Sequence, residues 1–341
     1  MSMETKQYLK RECETRGLHF LGIVPLRVEK DYQRYLSWLE EGNGEGMPYL
    51  RKHLELRADP SQLLPGASSA IIVGKPYDLG DRKEGEVPRV AQYARLEDYH
   101  RSLLKNLTEL AGCLPGKSRV IVDTAPVLER ALAAQCSTGF IGKNTCFIHP
   151  THGSFLLLGE ILNDSPLEKD ERLGPELYPQ KTTLGGCGPC RLCQDVCPTG
   201  ALDKDYSIDS RKCIAYWTIE HRGEIPLEYW PFLKDYYFGC DLCQIVCPYN
   251  HPRVKRTAEV EKKYPDLFQV ATMSQNEYES YFSKTPLTRA KRNGLRRNAL
   301  IAMHVIEHPQ MHEALQRAER DAEEPVGGTI RMIRQQRGGI L

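Results

Sequence analysis

Two cysteine runs in the second half of the chain constrain it more than any other feature. The first, Cys187-x2-Cys190-x2-Cys193-x3-Cys197-Pro198, has the unbroken spacing of a bacterial 4Fe–4S ferredoxin run. The second, Cys240-x2-Cys243-x3-Cys247-Pro248, is the same run without its leading cysteine, whose place is taken by Tyr237. One cluster therefore needs a thiolate from elsewhere, and Cys213, between the runs, is the nearest candidate. In two-cluster ferredoxins the last cysteine of each run ligates the cluster of the other run. That rule assigns Cys187, Cys190, Cys193 and Cys247 to one cluster and Cys197, Cys213, Cys240 and Cys243 to the other.

Zinc and disulfides are the competing uses for so many cysteines. A four-thiolate zinc site needs two Cys-x2-Cys pairs, but neither the third cysteine nor the Cys-Pro ending. Disulfides belong to oxidising compartments. The chain opens on a charged stretch, Met1 to Arg16, without the apolar segment of a secretory signal. No run of about 18 apolar residues spans a bilayer. The expected location is cytoplasmic, with the thiols reduced. The four cysteines outside the runs, Cys13, Cys113, Cys136 and Cys146, read as small buried hydrophobes.

The hydrophobic periodicity divides the 341 residues into three parts, expected at 1–175, 176–255 and 256–341. In the first, helical patterns at 4–16, 31–41, 97–111 and 126–135 alternate with apolar strands at 20–24, 70–73 and 119–122 and apolar runs at 146–149 and 154–162. This is an α+β fold with a buried sheet. In the second part cysteine, proline and glycine dominate, and the clusters would act as its staples. The third is helical, with Leu295, Ala299, Ala302 and Ile306 at helical spacing and a further helix over 312–322. A net charge of +1 announces no nucleic-acid partner. Locally, however, Lys284, Arg289, Lys291, Arg292, Arg296 and Arg297 fall together without an acid among them.

Two adjacent clusters pass single electrons, and a first part of this size points to a redox centre that receives them. A plain electron-transfer protein is the simpler alternative. There is no Gly-x-Gly-x-x-Gly βα turn, Walker A loop or His-Glu-x-x-His. The cobalamin signature Asp-x-His-x-x-Gly is also missing: Asp98-Tyr99-His100 is followed by Arg101, Ser102 and Leu103, with no glycine.

The segments Val122-Asp123-Thr124-Ala125-Pro126-Val127-Leu128-Glu129-Arg130 and Gly139-Phe140-Ile141-Gly142-Lys143-Asn144-Thr145 strongly resemble epoxyqueuosine reductases. So do Leu56-Arg57-Ala58-Asp59-Pro60, Asp98-Tyr99-His100, Gly153-Ser154-Phe155 through Gly159-Glu160, the cluster block with Cys213, and Arg297-Asn298-Ala299. The resemblance runs from about residue 15 to 305. It implies a cobalamin-dependent, double-cluster enzyme that reduces epoxyqueuosine to queuosine at the tRNA wobble position. It further implies a cobalamin domain like that of reductive dehalogenases and a short HEAT-like helical end. An external electron donor and a monomer are expected. A reductive dehalogenase-like enzyme with a small-molecule substrate is the rival within the same chemistry.

For single residues the resemblance competes with ordinary structural roles. Asp123 reads as a helix cap by position and, by resemblance, as the proton donor to the opened epoxide, with burial raising its pKa. Arg57, Lys143 and Asn144 are loop residues that the resemblance places at the corrin, with Phe147 and Leu158 touching the ring. Arg292, Arg296 and Arg297 form either a solvated helix face or a tRNA phosphate contact. Tyr93, Tyr99 and Trp217 are candidates to meet a splayed base.

Overall fold

A computed structural model describes residues 2–80, 89–170, 185–234, 236–251, 255, 257, 259 and 261–338. The expected boundary at 175/176 lies outside the described residues, as does residue 256 at the second.

The first part is built on a four-stranded sheet in the order His19–Pro25, Ser69–Pro76, Leu156–Asn163, Ser118–Ile121, with every neighbouring pair antiparallel. Both faces are covered, which is why Ser69–Pro76 is buried along its whole length and reads as a continuous apolar run rather than an alternating one. The pleat sends Ala70 and Ile72 to one face and Ile71 and Val73 to the other. The first face packs on Ala131, Leu132, Ala133 and Cys136. The second packs on the helices Ser2–Thr15, through Leu9 and Cys13, and Tyr99–Ala111, through Leu103, Leu107 and Leu110. Asp98 caps the latter helix by accepting the His100 N–H at 3.0 Å.

In the cluster part, the four-residue helices Leu192–Asp195 and Leu242–Ile245 each carry the cysteine before the Cys-Pro of their run. A short parallel ladder between Arg89–Val90 and Tyr236–Phe238 joins this part to the first. Five helices follow: Leu267–Thr272, Gln275–Phe282, Lys291–Val305, Met311–Glu319 and Val326–Gln336. The first two start with capping boxes, Asp266 with Gln269 and Ser274 with Glu277. Their core does not stop at 256. It takes in Ile225, Trp230, Leu233, Tyr237 and Phe238 from the cluster part and Val90 and Ala94 from the first. Tyr237, where the second run lacks its cysteine, is one of these core residues.

The Lys291–Val305 helix corrects the reading of the basic run. It is buried without interruption from Gly294 to Met303, because neighbours surround it on all sides. Arg296 and Arg297 are both 0% exposed, so neither can meet a phosphate. Arg296 donates to the carbonyls of Ala271 and Ala318 and pairs with Asp321. Arg297 donates to the carbonyls of Trp217, His221 and Gly223 and to the Asn298 side chain. Arg292 is also turned inward, onto Met273 and Asp321. Arg297 fastens the helical end to the segment that follows Cys213, while Arg292 and Arg296 tie the C-terminal helices to one another. Arg297→Met leaves three buried carbonyls without that donor and is expected to cost about 3 kcal/mol or more. The measurement is thermal or urea unfolding of the intact protein, and an unchanged midpoint contradicts the clamp.

Candidate active site

The strand Ser118–Ile121 runs into a turn that presents Asp123. The turn is tight: Thr124 N–H donates to the Val122 carbonyl at 2.6 Å, and Asp123 between them has φ 53°. That left-handed conformation is strained for a side-chain-bearing residue and is mildest for Asn and Asp. Three groups hold it. The Asp123 N–H donates to Glu129 Oε1 at 2.9 Å, the Tyr99 hydroxyl donates to Asp123 Oδ2 at 3.0 Å, and His100 Nε2 lies 3.5 Å from the same oxygen. The other ring nitrogen of His100 meets Asp98 at 2.6 Å. Asp123 and then Asp98 raise the His100 pKa against the opposing effect of burial. Burial, followed by the Asp123 charge, pushes the Tyr99 hydroxyl up, so it remains a donor.

Asp123 is not a helix cap. The next helix is Glu129–Ala133, whose N-cap position is Leu128, with no side-chain cap. Nor is Asp123 buried: its side chain is 59% exposed. It stands on the wall of a cavity of about 990 Å³, lined also by Tyr35, Tyr49, Lys52, Arg57 and Glu129. That volume is at the upper end for a small-molecule or cofactor site.

Of the other residues expected at the corrin, only Arg57 lines this cavity. Its guanidinium lies 5.6 Å from the Tyr35 ring centroid and 3.5 Å from the Val127 carbonyl, while its Nε is buried with no hydrogen-bond partner. Lys143 and Asn144 face the cluster part instead. The Lys143 N–H points at Cys187 Sγ, 3.3 Å away, and its ammonium pairs with Asp205 at 3.1 Å. The Asn144 amide donates to the Cys243 carbonyl at 3.2 Å. Phe147 and Leu158 do not line the cavity; both pack into the core on the first face of the sheet. Lys143 and Asn144 thus form the partition between the cysteines and the cavity. Sequence reasoning missed the Tyr35–Arg57 wall apart from Arg57 itself, and it missed Glu129.

The cysteines of the two runs lie near one another in small groups. Cys187 packs against buried Cys247 beside Phe140 and Ile148. Burial raises the Cys193 thiol to about 11, with Cys187 and Cys190 as its charged neighbours. Burial also raises Cys240, whose cysteine neighbours are Cys213 and Cys197. Cys213 is held where its carbonyl accepts the Trp217 N–H at 3.2 Å. Among the described residues no three Cys, His, Asp or Glu side chains converge as ligands of a single ion. Thiolates spaced around a multi-iron cubane stand farther apart than that. Outside the runs, Cys13 and Cys136 are core residues as expected. Cys113 is exposed, and Cys146 lies among the charged neighbours of Cys243 and Cys247.

The aromatic candidates also separate. Tyr99 bonds Asp123, Tyr93 packs edge-on to Tyr77 and Tyr99, and Trp217 stacks in a cluster with Tyr216, His221 and Tyr229.

A cysteine block next to a cofactor-sized cavity with a strained acid on its wall defines a double-cluster redox enzyme. The family model described as "4Fe-4S double cluster binding domain" matches residues 186–250, and that described as "Epoxyqueuosine reductase QueG, DUF1730" matches residues 57–124. The chain is 34% identical to the epoxyqueuosine reductase of Pseudomonas aeruginosa, covering 84% of this chain and 81% of that one. It is 36% identical to that of Gloeobacter violaceus, covering 88% and 96% respectively. Its fold matches a crystal structure of epoxyqueuosine reductase with an epoxyqueuosine-modified tRNA-Tyr stem loop, at a TM-score of 0.82 and 24% identity over 97% of this chain and 89% of that one. The chain belongs to the epoxyqueuosine reductase family. Its cofactors are two 4Fe–4S clusters and cobalamin.

Proposed function

We propose that the chain reduces epoxyqueuosine to queuosine in tRNA, with Asp123 as proton donor. The single observation that carries this reading is the strained Asp123 turn on the wall of a cofactor-sized cavity, backed by the cluster cysteines. Removing the epoxide oxygen as water consumes two electrons and two protons. Cobalamin, when bound, supplies a strongly reducing cobalt centre for attack at carbon. The residues that would hold it are Arg57, with its unpartnered Nε, and the apolar wall of Ala125, Val127 and Ile141. Asp123 delivers a proton to the oxygen as the C–O bond opens, and Tyr99 and His100 keep its carboxyl aimed from the wall. Lys143 and Asn144, tied to Cys187 and Cys243, fix the distance between the clusters and the cavity.

With Arg296 and Arg297 buried, phosphate contacts fall to cations on the cavity rim: Arg34, Lys52 and Lys204, with Arg289 over the Tyr49 ring nearby. The half-exposed Tyr49 offers a surface on which a splayed base can stack. The division of labour follows the three parts: cofactor and acid in the first, electron entry in the second, support of the cluster segment by the HEAT-like helices in the third. Among the described residues no helix is long and apolar enough to cross a membrane. A monomer served by an external electron donor completes the reading. The test is nucleoside analysis of tRNA from cells lacking this chain. Epoxyqueuosine is expected to accumulate at the expense of queuosine, and unchanged queuosine overturns the reading.

A further inference from the structure

Beyond Asp123, the site holds two carboxyl groups that the reaction as described does not use. Glu129 is the first residue of the Glu129–Ala133 helix, accepts the Asp123 N–H at 2.9 Å and lines the cavity. Glu160 lies in the middle of the sheet, opposite Ile72 on one side and Ile121 on the other. Strand alternation puts it with Leu158 and Leu162 on the face that packs against Ala131, Leu132 and Ala133. It is 0% exposed, and neither carboxyl oxygen has a hydrogen-bond partner among the described residues. An ionised carboxylate cannot be kept in such a place, so Glu160 carries a proton at neutral pH.

We propose that Glu129 is the second proton source of the epoxide reduction, acting through Asp123. The proposal rests on the reading of the reaction given above. In that reaction both C–O bonds of the epoxide break, a carbon–carbon double bond forms and the oxygen leaves as water. The two electrons come through the clusters and cobalamin. One proton comes from Asp123, and the second has no assigned donor. A stem loop seated over the cavity separates the reacting oxygen from bulk water, so the second proton must already be in the site.

The electrostatics agree with this placement. Glu129 faces Asp123, its helix neighbour Arg130, His100 and Tyr99 of the Tyr99–Ala111 helix, and Glu160 of the sheet. Once Asp123 has given up its proton, burial and then the Asp123 charge hold Glu129 up at about 7, against the opposing effects of Arg130, the Asp123 N–H and His100. Burial, followed by the charges of Glu129 and Asp123, holds Glu160 well above the carboxylate range, and Cys136 is its neighbour on the far side. Glu129 is therefore protonated below about pH 7 and ionised above it, whereas Glu160 stays protonated on both sides. A donor must be protonated, so turnover should fall as pH rises through about 7.

One variant of the holoenzyme tests this. Glu129→Gln keeps an oxygen for the Asp123 N–H, and so the turn, but has no proton to give. Turnover at pH 6 is expected to fall by roughly 10²-fold or more, with the fall near pH 7 abolished. Infrared spectra provide a readout that needs no reaction: the wild type at pH 6 should show a protonated-carboxyl band that fades as pH rises through about 7 and that Glu129→Gln removes. A wild-type rate and pH profile in Glu129→Gln overturns the proposal. So does the lack of that infrared band, or a loss of cobalamin binding in the variant in place of a pH effect. If the wild type itself leaves epoxyqueuosine unreduced, the reaction reading fails, while the infrared band still reports on Glu129.

Discussion

Asp123→Asn is expected to lower queuosine formation by roughly 10²–10⁴-fold, the usual worth of a general acid. Asparagine keeps the size of the side chain, tolerates the left-handed backbone that Asp123 occupies (φ 53°), and still offers an oxygen to the Tyr99 hydroxyl. It lacks only the proton. Cobalamin occupancy, cluster spectra and stem-loop affinity should therefore stay at wild-type values. A helix cap would have given the opposite outcome, since asparagine caps as well as aspartate. The structure removes that alternative by starting the next helix at Glu129. Near-normal turnover with cobalamin bound would show that another group donates the proton.

Cys213→Ala is expected to remove about half of the bound iron, because a 4Fe–4S cluster takes four cysteine thiolates and Tyr237 cannot supply one. Tyr237 lies in the core between the cluster part and the C-terminal helices, where its carbonyl accepts the Asn298 amide. Turnover should be lost along with that cluster's electron path. One thiol could disguise the effect: Cys146 is half-buried beside Cys243. The control is Cys146→Ala, which should keep both clusters, and the double variant, which should resemble Cys213→Ala. Iron analysis with electron paramagnetic resonance decides, and two full clusters in Cys213→Ala would overturn the ligand assignment.

The double-cluster block was legible in the sequence because a cubane imposes fixed spacings on the chain that holds it. The sheet was legible for a related reason. A strand such as Ser69–Pro76, buried on both faces, needs apolar residues on both, and its Ala-Ile-Ile-Val core announces itself. Glu160 escaped notice in just such a run, Leu156–Asn163, where a single glutamate looks like the solvent side of an edge strand. Only the third dimension shows that it has no solvent to face. The basic run misled in the opposite sense. Six cations in fourteen residues suggest a wet surface, yet Lys291–Val305 is the central helix of its bundle. Carbonyl oxygens and Asp321 take the place of water around Arg296 and Arg297. The final helix, Val326–Gln336, was not foreseen because Gly327 and Gly328 in its first turn read as a break. The contacts of Lys143 and Asn144 with Cys187 and Cys243 were not legible, since spacing cannot tell which way a turn points its groups.

The most direct test of the central claim is conversion of epoxyqueuosine by the purified protein. The protein, with both clusters reconstituted and cobalamin added, is given a reductant and a tRNA stem loop carrying epoxyqueuosine, and the nucleosides are then analysed by mass spectrometry. The account predicts queuosine, formed only when cobalamin is present and lost in Asp123→Asn. Epoxyqueuosine recovered intact from a protein with full iron and cobalamin content would contradict it.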